Sequence, residues 1–263
     1  MYAAAALNAH NPWSFAMPDL AGYLQRVSFA LRQGKPANDV AVLLPNDDAW
    51  ATFRASSKQA RSMTSSAGFD ESGLNVSIDE SMPKLLGDEV LGNVLDAGFN
   101  VDFIDADAIE KVGIPYPVLV LPGIDRIPPQ TYRKIEDYAR RGGIVIATRR
   151  LPATLPGMPQ SGTESASISV ISNRLFQGAH PLAHYVADER DVGKTIATYL
   201  KPDVSFFGNA GALGFIHRKF TGGDLYFIAN TTNIAQHAAA TFRQSRKYVE
   251  DWNAFTGDIG PMK

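Results

Sequence analysis

Apolar residues first recur at helical spacing between Pro18 and Gln33, where Leu20, Tyr23, Leu24, Val27 and Leu31 fall on one face. Pro18 suits the first turn and Gly34 the stop, so this stretch predicts a helix over residues 18–33. The period then collapses. Val40-Ala41-Val42-Leu43-Leu44 is an unbroken apolar run, the pattern of a strand buried on both faces. Residues 55–81 are weakly periodic and crowded with Ser and Thr, which predicts a long surface excursion with short helical pieces. A second helix is expected over 83–97, with Leu85, Leu86, Val90, Leu91, Val94 and Leu95 inward and Gly98 as its stop. Three strand patterns follow, Val101–Ile104, Pro117–Leu121 and Ile144–Ala147. Between the last two, Tyr132, Ile135 and Tyr138 mark a helix over 129–141 that ends at Gly142-Gly143. Strands alternating with helices over residues 38–150 imply a parallel sheet with right-handed crossovers.

Beyond residue 150 the pattern weakens. Residues 151–166 are rich in Pro, Gly, Ser and Thr and read as a loop or linker, and Ser167 to Ser172 alternates weakly, like a strand. Asp191 is placed to cap a helix running to Leu200. The period then moves from 3.6 toward 2. Leu213 to Lys219, a Gly222-Gly223 turn and Asp224 to Ala229 read as a β-hairpin, and the last thirty residues look irregular. The fold class is therefore α/β, a mostly parallel sheet flanked by helices, with a C-terminal β-hairpin segment.

Composition narrows the function more than the fold. The 263 residues are 45% apolar and 20% charged, a globular balance with enough chain for a real core. Twenty-five Lys and Arg against 27 Asp and Glu leave no basic excess of the kind phosphate-contacting nucleic-acid binders carry. The absence of cysteine removes disulfides, thiolate zinc sites, iron–sulfur clusters and cysteine nucleophiles. No stretch approaches the roughly 18–20 apolar residues that span a bilayer, so no membrane partner is expected. Met1 to Leu7 lacks a basic n-region, and His10-Asn11-Pro12 interrupts the apolar run, so no signal peptide is visible.

The candidate chemistry lies at strand ends. Asp47 and Asp48 follow the first strand, where open α/β sheets place ligands, and could bind a cation or act as acid and base. The plainer reading is turn chemistry plus a helix cap. Asp105 and Asp107 follow the second strand in the same way. A nucleotide would need a glycine-rich loop after a strand, and Pro45-Asn46-Asp47-Asp48 has no glycine. His180 and His184 stand four apart, but Pro181 disfavours a helix there and only two ligands are in sight, so surface histidines are expected rather than a metal site. No G-x-S-x-G nucleophile elbow is present, and an amidotransferase would need a cysteine. The Arg140-Arg141 pair suits a helix C-terminus. Arg149-Arg150 is a second short basic pair, and Trp13, Trp50 and Trp252 are scattered.

Several segments carry a family resemblance. They are His10-Asn11-Pro12-Trp13, Met17-Pro18-Asp19-Leu20, Tyr23-Leu24-Gln25-Arg26-Val27-Ser28-Phe29 and Leu31-Arg32-Gln33-Gly34. The series continues with Asp39 to Pro45, Asp47-Asp48-Ala49-Trp50, Asp96-Ala97-Gly98-Phe99 and Asp102-Phe103-Ile104-Asp105. It ends with Phe215-Ile216-His217-Arg218 and Tyr226 to Thr232. In order and spacing they resemble the α-L-rhamnosidases of glycoside hydrolase family 106.

That resemblance implies a longer protein, in which a catalytic (β/α)8 barrel precedes an α/β domain of flavodoxin or class I amidotransferase-like build, followed by β-sandwich domains. Residues 1–34 would correspond to the last strand and helix of a truncated barrel, 38–200 to the α/β domain and 205–263 to the start of a β-sandwich. The implied chemistry is inverting hydrolysis of terminal α-L-rhamnosides by two carboxyl groups roughly 6.5–9.5 Å apart. The family's glutamates, and its calcium, belong to the barrel upstream, so no catalytic residue, metal ligand or cofactor is assigned within this chain. His10, Asn11 and Trp13, at the mouth of a barrel strand, become candidates for binding sugar hydroxyls and a ring face. The partner in the full-length context is a rhamnose-containing glycan, and the compartment implied is periplasmic or secreted.

The chain then reads as a fragment of a rhamnosidase-like enzyme, mainly its non-catalytic α/β accessory domain. A helix and a hairpin cut from their layers would expose apolar edges, so self-association is expected if the chain stands alone. The alternative is a stand-alone, non-catalytic α/β module that binds carbohydrate or protein. A third reading is an independent small-molecule enzyme using Asp47, Asp48, Asp105 or Asp107. An open frame extending beyond Met1 and Lys263 would favour the fragment.

Overall fold

The computed structural model describes residues 10–53, 78–157, 162–208, 212–245 and 248–262. A 3-10 turn (Ser14–Ala16) leads into α1 (Met17–Leu31), and β1 (Lys35–Pro36) follows. Then come β2 (Val40–Leu43), α2 (Asn46–Thr52), α3 (Ile78–Leu86), α4 (Asp88–Asp96), β3 (Val101–Ile104) and α5 (Ala106–Val112). The alternation continues with β4 (Val118–Pro122), α6 (Pro129–Arg140), β5 (Ile144–Thr148), α7 (Gly162–Ser172), β6 (His184–Val186) and α8 (Val192–Tyr199). β7 (Val204–Phe207), β8 (Leu213–Phe220), β9 (Gly223–Asn230), β10 (Ala239–Phe242), β11 (Glu250–Trp252) and β12 (Ile259–Pro261) complete the chain.

These elements form two compact units. The larger takes Asn38–Gly214 with Asn230–Phe242, and the smaller takes Met1–Ala37, Phe215–Ala229 and Arg243–Lys263. The larger unit is built on a five-stranded sheet of order β3-β2-β4-β5-β6, in which every neighbouring pair is parallel. Numbered within the sheet, that order is 2-1-3-4-5. Side chains alternate between its faces with the period of two that a strand imposes. Ala41, Leu43, Leu119, Leu121, Val145 and Ala147 share one buried cluster with Ile109 of α5, Tyr132 and Ile135 of α6, and Ile168 of α7. Val40, Val42, Val118, Val120 and Ile146 share the other with Val90 and Val94 of α4 and Val192 and Ile196 of α8. Helices thus cover both faces, and this is why these strands are unbroken apolar runs. β7 and β10 add a two-stranded antiparallel ribbon to the same unit.

The smaller unit holds two small sheets, β1-β8-β9 and β11-β12. Gly34 stops α1 with φ +58°, and a Cβ there would sit 2.0 Å from the Lys219 carbonyl oxygen, so only glycine lets β1 approach β8. Arg218 donates to the carbonyls of Gln33 and Gly34, both at 2.9 Å. Arg26 donates to the carbonyls of Ala254 at 2.7 Å and Phe255 at 2.6 Å, and Tyr23 stacks on Phe255 at 4.6 Å. Buried His217 meets Asp224 at 3.0 Å and stacks on Tyr226.

Several sequence expectations need correction. The helix expected over 83–97 is two helices. Gly87 breaks it at φ +95°, in a place where a Cβ would lie 2.2 Å from Glu189 Oε1. Ser167 to Ser172 is helical, because Ile168, Ile171 and Leu175 recur at three- and four-residue spacing into the core. Asp47 and Asp48 lie in the first turn of α2 rather than in a loop. Asp191 stands at the start of α8 but caps nothing with its side chain, which takes an ion pair from Lys194. His184 opens β6, a strand absent from the sequence reading. The last thirty residues contain the short strands β10 to β12. Most of the serine-rich excursion over 55–81 lies outside the described residues.

Candidate functional site

In an open parallel sheet the ligand crevice opens at the carboxyl ends of the strands, where the strand order reverses. Here that point lies between β2 and β4. The α2 turn after β2 brings Asp47 and Asp48, and the loop after β4 brings Gly123, Ile124, Asp125 and Arg126.

Asp48 is 1% exposed. Its carboxylate accepts from the backbone N–H of Asp125 at 2.9 Å, from the backbone N–H of Arg126 at 3.2 Å, and from Arg126 Nη1 at 3.1 Å. Successive backbone N–H groups of this kind form the nest that an anionic ligand would occupy. At this switch point the chain supplies the anion itself.

Asp47 is half-buried. Its carboxyl is pushed above the ordinary aspartate value, first by burial and then by the charges of Asp48 and Asp107. Asp105 sits at the N-cap of α5, where its carboxylate accepts from the Ala108 N–H at 2.7 Å. Asp107 is exposed and pairs with Lys111 at 3.6 Å, one helical turn on. The four strand-end aspartates therefore share one edge of the sheet, and three of them are engaged in local structure.

The next strand end is closed by groups whose role the sequence did not reveal. Arg149 follows β5 in the left-handed region at φ +60°. Its guanidinium pairs with Glu189 at 2.6 Å and donates to the carbonyls of Pro122, Lys84 and Leu85. Gly123, itself at φ +58°, leaves the room, since a Cβ there would stand 2.6 Å from Arg149 Nε. Arg150 donates to the Gly123 carbonyl. In sequence Arg149-Arg150 was only a basic pair. Gly123 directly after an apolar strand was the available signal for a close approach.

His10, Asn11 and Trp13 belong to the smaller unit, in the turns that enter α1. Asn11 Oδ1 accepts from the Trp13 N–H at 3.4 Å, and Trp13 is exposed. His180 lies in a bend and His184 in β6, so the two do not share a helix face. The His184 ring stacks on Tyr199 at 4.4 Å, and burial holds its pKa below the usual histidine value. Among the described residues no three His, Asp or Glu side chains converge to hold a metal ion. No described helix is long and apolar enough to cross a membrane.

Comparison with known proteins first shows a shared fold. A solved rhamnosidase from Novosphingobium sp. PP1Y is similar over 97% of this chain, at 19% identity and a TM-score of 0.66. A GH42 beta-galactosidase from G. stearothermophilus is similar over 97%, at 13% identity and a TM-score of 0.62. At these identities the likeness is one of fold, and both are glycoside hydrolases by name. A Formosa agariphila protein named "Putative beta-glucuronidase" is 29% identical over 183 residues. The particular family follows from the sequence itself. Residues 1–263 match glycoside hydrolase family 106, described as alpha-L-rhamnosidase, and the chain belongs to that family. It spans 23% of the Novosphingobium rhamnosidase chain and 15% of the Formosa protein.

Proposed function

We propose that this chain serves as the α/β accessory region of an α-L-rhamnosidase-like glycoside hydrolase. It acts on rhamnose-containing glycans together with a catalytic barrel carried elsewhere in a longer protein. The observation that carries this reading is the state of the strand-end carboxylates. Inverting hydrolysis needs one carboxyl group free to give a proton and another free to activate water, about 6.5–9.5 Å apart across the sugar. Asp48 has its oxygens filled by three donors, Asp105 caps a helix and Asp107 pairs with Lys111. Asp47, with its raised pKa, is left without a free carboxylate partner at that edge.

The parts are assigned accordingly. Residues 38–200 are the α/β domain, and the strand order 2-1-3-4-5 supports a flavodoxin-like build. Residues 1–34 supply the end of the barrel and 205–263 the opening of a β-sandwich, apart from β7 and β10, which pair within the larger unit; the first two long strands of that opening, β8 and β9, are joined through Thr221-Gly222. His10, Asn11 and Trp13 face the sugar at the barrel mouth. The reacting glutamates and the calcium belong to the barrel portion outside this chain. The small share that the chain covers of its relatives supports this division.

The test is hydrolysis of an aryl α-L-rhamnoside by the purified chain, shown folded by a cooperative melt, with and without calcium. No release above the solvent rate is expected. Release that Asp47→Asn abolishes would overturn the accessory reading.

A further inference from the structure

At the opposite edge of the parallel sheet, the C-terminal ends of α5 and α6 meet around a cavity of about 260 Å3, lined by Gly113, Ile114, Lys134, Asp137, Tyr138 and Arg141. Clefts for drug-sized ligands run to about 300–1,000 Å3, so this one suits a ligand of a single ring. Tyr138 gives it a fixed wall. Its hydroxyl donates to the carbonyls of Tyr116 at 2.8 Å and Pro117 at 2.6 Å, which locks the ring. Ile114 adds aliphatic surface.

The polar groups are placed differently. Lys134 is tied to the Glu110 carbonyl. Asp137 and Arg141 stand four apart on α6, as Glu136 and Arg140 do, yet only the second pair closes an ion pair, at 2.6 Å. The Asp137 carboxylate and the Arg141 guanidinium have no side-chain partner among the described residues, and both line the cavity. One is an acceptor and the other a forked donor, the complement of neighbouring hydroxyls.

The charges select the ligand class. Two cations and one carboxylate face the cavity, and each helix C-terminus contributes about half a negative charge. The total is close to zero, which disfavours both a phosphate and a metal ion. The carboxylate and the guanidinium suit the hydroxyls at a sugar's ring edge, while Ile114 and the small part of the Tyr138 ring left exposed offer its C–H face a limited apolar contact.

We propose that this cavity is a non-catalytic subsite for one neutral pyranose residue of the glycan substrate. The choice of rhamnose as probe rests on the accessory reading given above. A single ring held this way binds with a Kd on the order of 1–10 mM. The experiment is a titration of the full chain with methyl α-L-rhamnoside, followed by amide chemical shifts, with inorganic phosphate as a second arm. Shifts confined to the Gly113–Ile114 turn and the end of α6 are expected. Asp137→Ala and Arg141→Ala, both at exposed positions, should each weaken binding at least tenfold with the melt unchanged. No saturable shift, shifts elsewhere, binding indifferent to both variants, or phosphate binding in place of the sugar would each overturn the subsite. The aryl-rhamnoside assay stays independent, because a chain without catalysis can bind here or fail to bind.

Discussion

The two compact units use the same kinds of side chain to opposite effect. In the larger, the strands β2 and β4 are buried along their whole length, and helices close both faces of the sheet. In the smaller, α1 has a clean apolar stripe and yet no buried residue. Leu24 is 54% exposed, Phe255 77% and Ile259 60%. Among the described residues of that unit, Phe215 alone of the apolar side chains is buried. Amphipathic patterning therefore specifies an element's shape, while burial needs a second layer to pack against. The larger unit contains its layers. The smaller leaves nearly all of its apolar side chains exposed, the arrangement that the proposed assignment to a barrel end and a sandwich edge requires.

The contrast can be broken by truncating one leucine in each unit. Leu119→Ala in β4 should cost about 2–5 kcal/mol in urea unfolding, through lost transfer energy and the cavity left behind. Leu24→Ala in α1 should change the same measurement by less than about 0.5 kcal/mol, as a surface substitution does. Equal effects would mean that α1 is packed as tightly as the sheet.

The closed strand edge comes next. Asp48→Ala should cost about 2–3 kcal/mol, because two backbone N–H groups and Arg126 lose a buried charged acceptor. A neutral result would mean the crevice relaxes and that Asp48 is not holding it shut. Gly87→Ala should cost about 1–3 kcal/mol, since alanine is strained at φ +95° and its Cβ meets Glu189. The steric part is the coupling between this change and Glu189→Ala in a double-mutant cycle, because Glu189→Ala alone also removes the Arg149 ion pair.

The smallest effect is pH-dependent. The hydrogen bond from Arg174 holds the Glu136 pKa below the ordinary glutamate value, with Arg140 adding to it against the opposing effect of burial. A depressed folded-state pKa means the unfolded chain binds the proton first. The contribution is therefore present above the unfolded glutamate pKa and is lost as pH falls through the folded one. It should amount to about 1 kcal/mol, given that Arg174 and Arg140 are half-exposed. Glu136→Gln should remove that part of the acid dependence, and an unchanged slope as pH falls below about 5 would count against the pair.

Much of the larger unit was legible in sequence because its signals are local. Continuous apolar runs mark β2, β4 and β5, and the spacing of Tyr132, Ile135 and Tyr138 marks α6. What was hidden depends on distant residues. Gly87 breaks its helix at φ +95°, in a space that Glu189, about a hundred positions on, closes to any side chain. The serines of α7 mask a core stripe that ends at Leu175 in a π-helical turn. The strand-end position of Asp48 could be read, but the donors that fill it come from residues 125 and 126. Family membership was legible from ordered short segments.

Native-state amide hydrogen exchange on the purified chain addresses the contrast between the units most directly. Amides of β2, β4 and β5 should exchange only through global unfolding, while those of α1, β11 and β12 should exchange orders of magnitude faster through local opening. Protection of α1, β11 and β12 equal to that of β4 would show that the smaller unit has a complete core of its own, and would contradict its reading as a set of surfaces that pack against more of a longer protein.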